Sequence, residues 1–133
     1  MNYWLVKSEP SVFSYEKLEK DGKAVWDGVR SYPGRKNLRA MKNGDHVLFY
    51  HSMETQEVVG IAKVIKEGYQ DPTTDEDWTA VDLAPIKPFK KPVQLSDIRK
   101  EKKLQNIYLI RQARLSVMPL EKDEFDLIVK MGN

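Results

Sequence analysis

Short apolar runs, each closed by a turn signal, punctuate this chain. Tyr3-Trp4-Leu5-Val6 predicts a first strand, ended by Pro10. Ser14 is placed to cap a short helix carrying Tyr15 and Leu18. Val25-Trp26 opens a segment leading into a basic stretch, and Asn37 to Lys42 suits a helical turn stopped by Asn43-Gly44. His46-Val47-Leu48-Phe49-Tyr50 is rich in strand formers, and its continuous apolar middle predicts a strand buried on both faces. Val58 to Ile65 predicts its antiparallel partner, with Gly60 as a point of bend or bulge. Beyond the turn-rich Asp71-Pro72-Thr73-Thr74-Asp75, Trp78 to Leu83 supplies another strand.

Pro85, Pro88 and Pro92 argue against a long strand or helix in the segment that follows. Leu95 to Arg99 predicts a short helix, imperfectly capped near Ser96. Tyr108-Leu109-Ile110 and Ala113 to Val117 read as late strand material. Pro119 then precedes a final helix. Glu121, Asp123 and Glu124 suit the positive end of its dipole, Phe125, Ile128 and Val129 form its apolar face, and Gly132 stops it. Five or more short strands among small helices, with no internal repeat, describe one α+β domain over residues 1–133. The pattern is barrel-like and not that of a doubly wound nucleotide fold.

A chain of 133 residues can bury a real core without staples, and this one contains no cysteine. That removes disulfides, thiolate nucleophiles and cysteine-ligated metals. No stretch approaches the roughly 18–20 apolar residues of a membrane span, and the first ten residues do not resemble a signal peptide. A soluble, cytoplasmic protein without membrane association is expected. The formal charge is only +2, from 22 basic and 20 acidic residues, but it is unevenly spread. Residues 30–42 carry Arg30, Arg35, Lys36, Arg39 and Lys42 without an acid. Residues 67–82 carry Glu67, Asp71, Asp75, Glu76, Asp77 and Asp82 without a base, and residues 87–103 are basic again. Two basic blocks around an acidic one predict a polarised surface, with ordinary solvated faces as the competing reading.

Catalytic motifs are missing: there is no nucleophile elbow, phosphate-binding loop or zinc-protease helix. His46 and His51 are the only histidines, and their spacing puts them on opposite faces of one strand. No metal and no cofactor is expected. His51 is either a hydrogen-bonded structural residue or a donor lining a pocket. Ser52 beside it lacks a locatable third group for nucleophilic chemistry, and Glu9 and Asp27 can be cast as acid and base only if the fold brings them together.

Taken together these segments resemble the EVE domain family. The resemblance rests on Tyr3-Trp4-Leu5-Val6-Lys7-Ser8-Glu9-Pro10, Phe13-Ser14, Trp26-Asp27-Gly28-Val29-Arg30 and Asn37-Leu38-Arg39-Ala40-Met41-Lys42. It continues in Gly44-Asp45, Phe49-Tyr50-His51-Ser52, Val59-Gly60-Ile61-Ala62, Tyr69 to Thr73, Trp78 with Val81-Asp82, and Arg111 to Pro119. It implies a PUA-like pseudo-barrel of about five or six mostly antiparallel strands with short surrounding helices. It also implies kinship with the YTH readers of methylated adenine in RNA, and binding of modified bases without enzymatic activity. One departure lies at Val29-Arg30-Ser31-Tyr32-Pro33-Gly34-Arg35-Lys36-Asn37, where the family reads close to Val-Arg-Asn-Tyr-Gln-Ala-Arg-Asn. Tyr32, Arg35 and Asn37 are kept. The Pro33 side chain offers neither donor nor acceptor where a glutamine offers both, so the ligand differs there or is met by backbone groups.

A base removed from its stack loses a few kcal/mol, which an aromatic surface, at about 1–3 kcal/mol per stacked base, and directed hydrogen bonds can restore. Trp4, Trp26, Tyr32, Phe49 and Tyr50, with Val29 among them, are the candidate walls. Lys7, Ser8, Glu9, His51 and Ser52 are the candidate polar contacts, Glu9 as acceptor from an exocyclic amine. Arg30, Arg35, Lys36, Arg39, Arg111 and Arg114 are candidates for phosphate. Structural readings compete at several positions: Trp4 as core, Trp78 as a rim or structural residue, and Arg111 and Arg114 as salt-bridge partners of the acidic block. The reading is a monomeric, non-catalytic module that binds DNA or RNA through a modified or flipped base. An enzyme acting on modified nucleosides or nucleotides and a protein-interaction module stand as alternatives.

Overall fold

In the computed structural model, which describes residues 1–133, strand β1 (Tyr3–Ser8) lies between β3 (His46–His51), to which it runs parallel, and β6 (Val117–Leu120), to which it runs antiparallel. On the far side of β3 come β4 (Glu57–Gln70), β5 (Thr79–Gln94) and the short β2 (Ala24–Trp26), all antiparallel to their neighbours. The sheet order is therefore β2-β5-β4-β3-β1-β6. Five short helices surround it: α1 (Tyr15–Asp21), α2 (Tyr32–Ala40), α3 (Leu95–Lys100), α4 (Tyr108–Arg111) and α5 (Lys122–Met131).

Side-chain alternation makes this a sheet with a core on each face. Trp4, Val6, Val47 and Phe49 enter one core with Leu18 of α1 and Leu38 of α2. Leu5, Leu48 and Tyr50, their immediate neighbours, enter the other with Ile98, Leu109, Phe125 and Ile128 from α3, α4 and α5. β3 is thus buried on both faces, as its unbroken apolar run predicts. α2 crosses the first core and touches strands near opposite ends of the sheet order. Asn37 Nδ2 donates to the Val117 carbonyl at 2.7 Å, and Arg39 Nε donates to Thr79 Oγ1 at 2.8 Å. A helix, and not a strand-to-strand seam, closes the pseudo-barrel.

Gly60 sits where the β4–β5 register breaks, and a Cβ there would lie 2.6 Å from the Tyr15 ring. Its missing side chain admits Tyr15, whose hydroxyl donates to the Ile61 carbonyl at 2.6 Å. Ser14 caps α1 as expected, and Glu121 and Glu124 form a reciprocal capping box at the start of α5.

Four expectations need correction. β5 runs through all three prolines. β2 pairs with it only at Val81–Leu83, so from Pro85 onward no strand pairs with its outer edge, and Pro85 and Pro88 pair with β4 beside register breaks. Prolines are tolerated at such edges and bulges. Tyr108 to Ile110 forms α4, not a strand, and Ala113 to Ser116 is loop, leaving β6 to begin at Val117. α3 is entered through Gln94 without a side-chain cap, so Ser96 does not serve. α2 starts at Tyr32, five residues before the predicted turn, because Ser31 caps it by accepting from the Gly34 amide at 3.1 Å and Pro33 fits its first turn. A Cβ at residue 34 would lie 2.6 Å from Val29. Ser31, Pro33 and Gly34 together therefore begin a helix.

Candidate functional site

Three chain segments meet around a cavity of about 550 Å3. The first is the end of β1, where Lys7 and Ser8 lead into a tight turn: the Val12 and Phe13 amides both donate to the Glu9 carbonyl, and Ser8 Oγ donates to the Phe13 carbonyl. This places Val12 and Phe13 at the cavity wall. The second is Val25 to Ser31, which supplies wall and rim without interruption. Its turn depends on Gly28, whose φ of 78° lies in the left-handed region that side chains disfavour. The third is the loop before β6, which brings Arg114 and Ser116. The Lys7 amide fastens it by donating to the Ser116 carbonyl at 2.9 Å. A shallower hollow of about 320 Å3 adjoins the cavity and shares Ser31 and Arg114 with it.

Trp26 is the aromatic of this wall. It is 9% exposed and stands edge-on to Phe49 (centroids 5.4 Å, 81°) and to Phe13 (6.2 Å, 80°). Its indole N–H makes no hydrogen bond within the protein, yet no sealed polar side-chain atom lacks a partner. The N–H therefore keeps access to solvent and is an unused donor.

Asp71 anchors the Gly28 turn. Its side chain is fully buried and accepts from the Gly28 amide (2.9 Å), Arg30 Nη1 (2.9 Å), and the amide and hydroxyl of Thr73. Burial by itself would raise this carboxyl, but the hydrogen bonds from Thr73, Gly28 and Arg30 outweigh it and hold it well below the usual carboxylate range. Asp27, on the cavity rim, goes the other way. Burial and the neighbouring Asp71 charge raise it, against the pull of its own backbone hydrogen bond and of Arg30.

The acidic block does not stand apart from the first basic block, which corrects the expected polarised surface in that region. Arg30 pairs with Asp71, and Arg35 and Arg39 both reach Asp77, Arg39 at 2.6 Å. The acids engage these three arginines, whereas Arg111 and Arg114 form no salt bridge. Arg114 lines the cavity. Arg111 lies elsewhere, in a hollow that also contains Glu121 and Glu124. Lys36 is exposed on α2.

Of the remaining candidates, Lys7, Ser8, Trp26, Val29 and Arg30 are brought together at the cavity. Lys7 Nζ donates to the Ala113 carbonyl at 2.7 Å, and burial lowers its pKa. Trp4 is core: its indole N–H donates to the buried Asp45 at 3.0 Å. Phe49 and Tyr50 are buried in opposite cores, so neither faces an open cavity. Tyr32 is exposed and stacks on Trp78. Glu9 is exposed and does not border the cavity. His51 Nε2 accepts from the Tyr15 amide at 3.1 Å, and the Ser52 amide donates to the Ser8 carbonyl. Val12, Phe13, Val25, Gly28, Ser31 and Ser116 are not among the candidates read from the sequence, and Asp27 is among them only as half of an acid–base pair with Glu9. Contiguity with Trp26 was a signal for Val25 through Ser31, and Phe13 adjoins the Ser14 cap. Nothing local marked Ser116.

A family model described as the EVE domain matches residues 2–131. Mouse thymocyte nuclear protein 1 is 36% identical over an alignment covering 98% of this chain and 73% of its own length. A crystal structure of an Agrobacterium tumefaciens protein superimposes with a TM-score of 0.97 at 40% identity, covering 100% of this chain and 94% of that one. Human THYN1 in complex with 5-methylcytosine-containing DNA gives 0.91 at 32% identity, covering 100% and 98%. A YTH domain shares the fold at 14% identity, with a TM-score of 0.64 over 98% and 94% of the two chains.

Proposed function

The chain belongs to the EVE domain family, and from that membership we propose that it is a non-catalytic reader that takes one modified base of a nucleic acid into the cavity beside Trp26. The observation that carries the reading is the cavity wall itself. An almost buried indole with an unpaired N–H forms part of that wall, together with the apolar Val29 and Phe13 and the acid Asp27. Its volume lies within the roughly 300–1,000 Å3 of small-ligand pockets. The chemistry suits a flipped pyrimidine: Asp27 accepts from an exocyclic amine, the indole donates to a ring acceptor, and the apolar wall receives an added methyl group. The relative bound to 5-methylcytosine-containing DNA makes that base the first probe.

An enzymatic reading finds less support. Of Glu9, Asp27 and His51, only Asp27 borders the cavity, so these three do not meet there as an acid–base pair. No helix is long and apolar enough to cross a membrane.

Fluorescence anisotropy with single-stranded DNA and RNA oligonucleotides, matched except for one 5-methylcytosine, tests the proposal. Tighter binding of the modified strand, lost in Trp26→Ala, is expected. Equal weak binding of every strand, unchanged by Trp26→Ala, overturns it.

A further inference from the structure

We propose that Tyr32, stacked on Trp78 outside the cavity, is a second stacking surface that receives the nucleobase adjacent to the one inside. This rests on the base-reading function above and extends it from one nucleotide to two.

Tyr32 is 71% exposed. It also has packed neighbours. Its ring lies nearly parallel to that of Trp78, with centroids 5.8 Å apart and 14° between planes. The Arg35 guanidinium stands 5.0 Å from the Tyr32 centroid and 5.1 Å from that of Trp78, and is itself fixed by donating to the Asp77 carbonyl at 2.7 Å. Trp78 is held through its backbone, which donates to Glu76 and accepts from the Asp71 amide. One face of Tyr32 thus rests on Trp78, and the ring's exposure leaves area for a second stacking partner, which meets a partly ordered surface.

The position connects this surface to the cavity. Ser31, the preceding residue, lines the cavity and caps the helix whose first residue is Tyr32. Arg30 also lines the cavity, and its guanidinium lies 5.6 Å from the Trp78 ring. One arginine therefore borders both places.

The occupant follows from what the cluster already holds. A cationic peptide would seek the aromatic faces by cation–π attraction, but Arg35 occupies that role over both rings and Arg30 over one. A neutral planar ring system is what the exposed tyrosine ring can still accept, and stacking of this kind tolerates any base.

The test titrates wild type, Tyr32→Ala, Tyr32→Phe and Trp26→Ala with 5-methyldeoxycytidine and with a short single strand containing one 5-methylcytosine. Two further strands carry an abasic sugar on one side or the other of that base. Tyr32→Ala is expected to weaken the intact strand roughly 5- to 150-fold while leaving the nucleoside unaffected, and Tyr32→Phe to retain wild-type affinity. One abasic strand should reproduce the loss in wild type and cause none in Tyr32→Ala. Unchanged strand affinity in Tyr32→Ala overturns the proposal, as does a parallel loss of nucleoside binding. Tyr32-dependent binding of an arginine-rich peptide without strand dependence also overturns it, in favour of a protein partner. Indifference of both ligands to Trp26→Ala instead refutes the cavity reading, and the strand data for Tyr32 are judged separately.

Discussion

Arg30 and Asp71 meet at 2.9 Å across forty-one residues of sequence, and this contact folds the acidic block against the basic one. With Arg35 and Arg39 held by Asp77, Lys36 and Arg114 are the candidate phosphate contacts near the site that remain without a carboxylate partner.

Binding should therefore depend weakly on salt. Each phosphate contact on a single strand adds about −0.7 to the slope of log affinity against log salt. Two contacts give a slope of about −1.4, measurable by anisotropy between low and physiological salt. A much steeper slope would mean that the paired arginines leave their carboxylates for the ligand.

Asp71→Asn removes the charge that organises the Gly28 turn and the Thr73 loop. Hydrogen bonds to charged groups are worth about 1.5–3 kcal/mol, so urea denaturation at pH 7 should show a loss of that order. The folded-state carboxyl titrates below its ordinary value, so its stabilisation is complete above about pH 4 and fades as the pH falls further. Wild type and variant should converge in that acid range.

Trp4→Phe leaves the buried Asp45 with only the Asn2 and Lys42 amides as donors. Thermal or urea melts should show a loss of about 1–3 kcal/mol. Base binding should be unaffected, because Trp4 does not border the cavity. A binding defect larger than the stability loss explains would return Trp4 to the site.

His51 satisfies the Tyr15 amide in the first turn of α1, where helix donors lack intrahelical partners. Burial lowers its pKa, against the opposing charges of Glu57 and Glu16. The unfolded chain then takes up the proton first. Stability is full above about pH 6.5 and declines as the pH drops from there toward the lowered folded-state value. His51→Gln should remove that decline in denaturation measured at pH 7.5 and 5.5.

Much of the sheet was legible because burial on both faces writes itself into strands such as His46–His51 as continuous apolar residues. Ser14 and Glu121 announced their helices by local chemistry. The start of β5 was legible in Trp78 to Leu83, but its run through Pro85 and Pro88 was not, since whether they are tolerated depends on where β2 stops pairing with the edge. Tyr108-Leu109-Ile110 is too short to show a period, and its packing makes it helical. At the site, Trp26 to Arg30 could be found because one uninterrupted turn forms the rim. The fates of Tyr32 and the arginines could not, because Trp78, Asp71 and Asp77 reach them from some forty residues away.

The strand order also imposes a timetable. A chain emerging from its amino end makes β1 early, yet β1 is paired on both edges only when Val117–Leu120 arrives. Until then Tyr3-Trp4-Leu5-Val6 presents an apolar open edge of the kind that joins other chains. The helix that closes the barrel waits for the same event, since Asn37 binds the Val117 carbonyl. Contacts this distant in sequence make folding slow. The cavity, whose third wall is the loop before β6, lacks that wall until this distant segment packs.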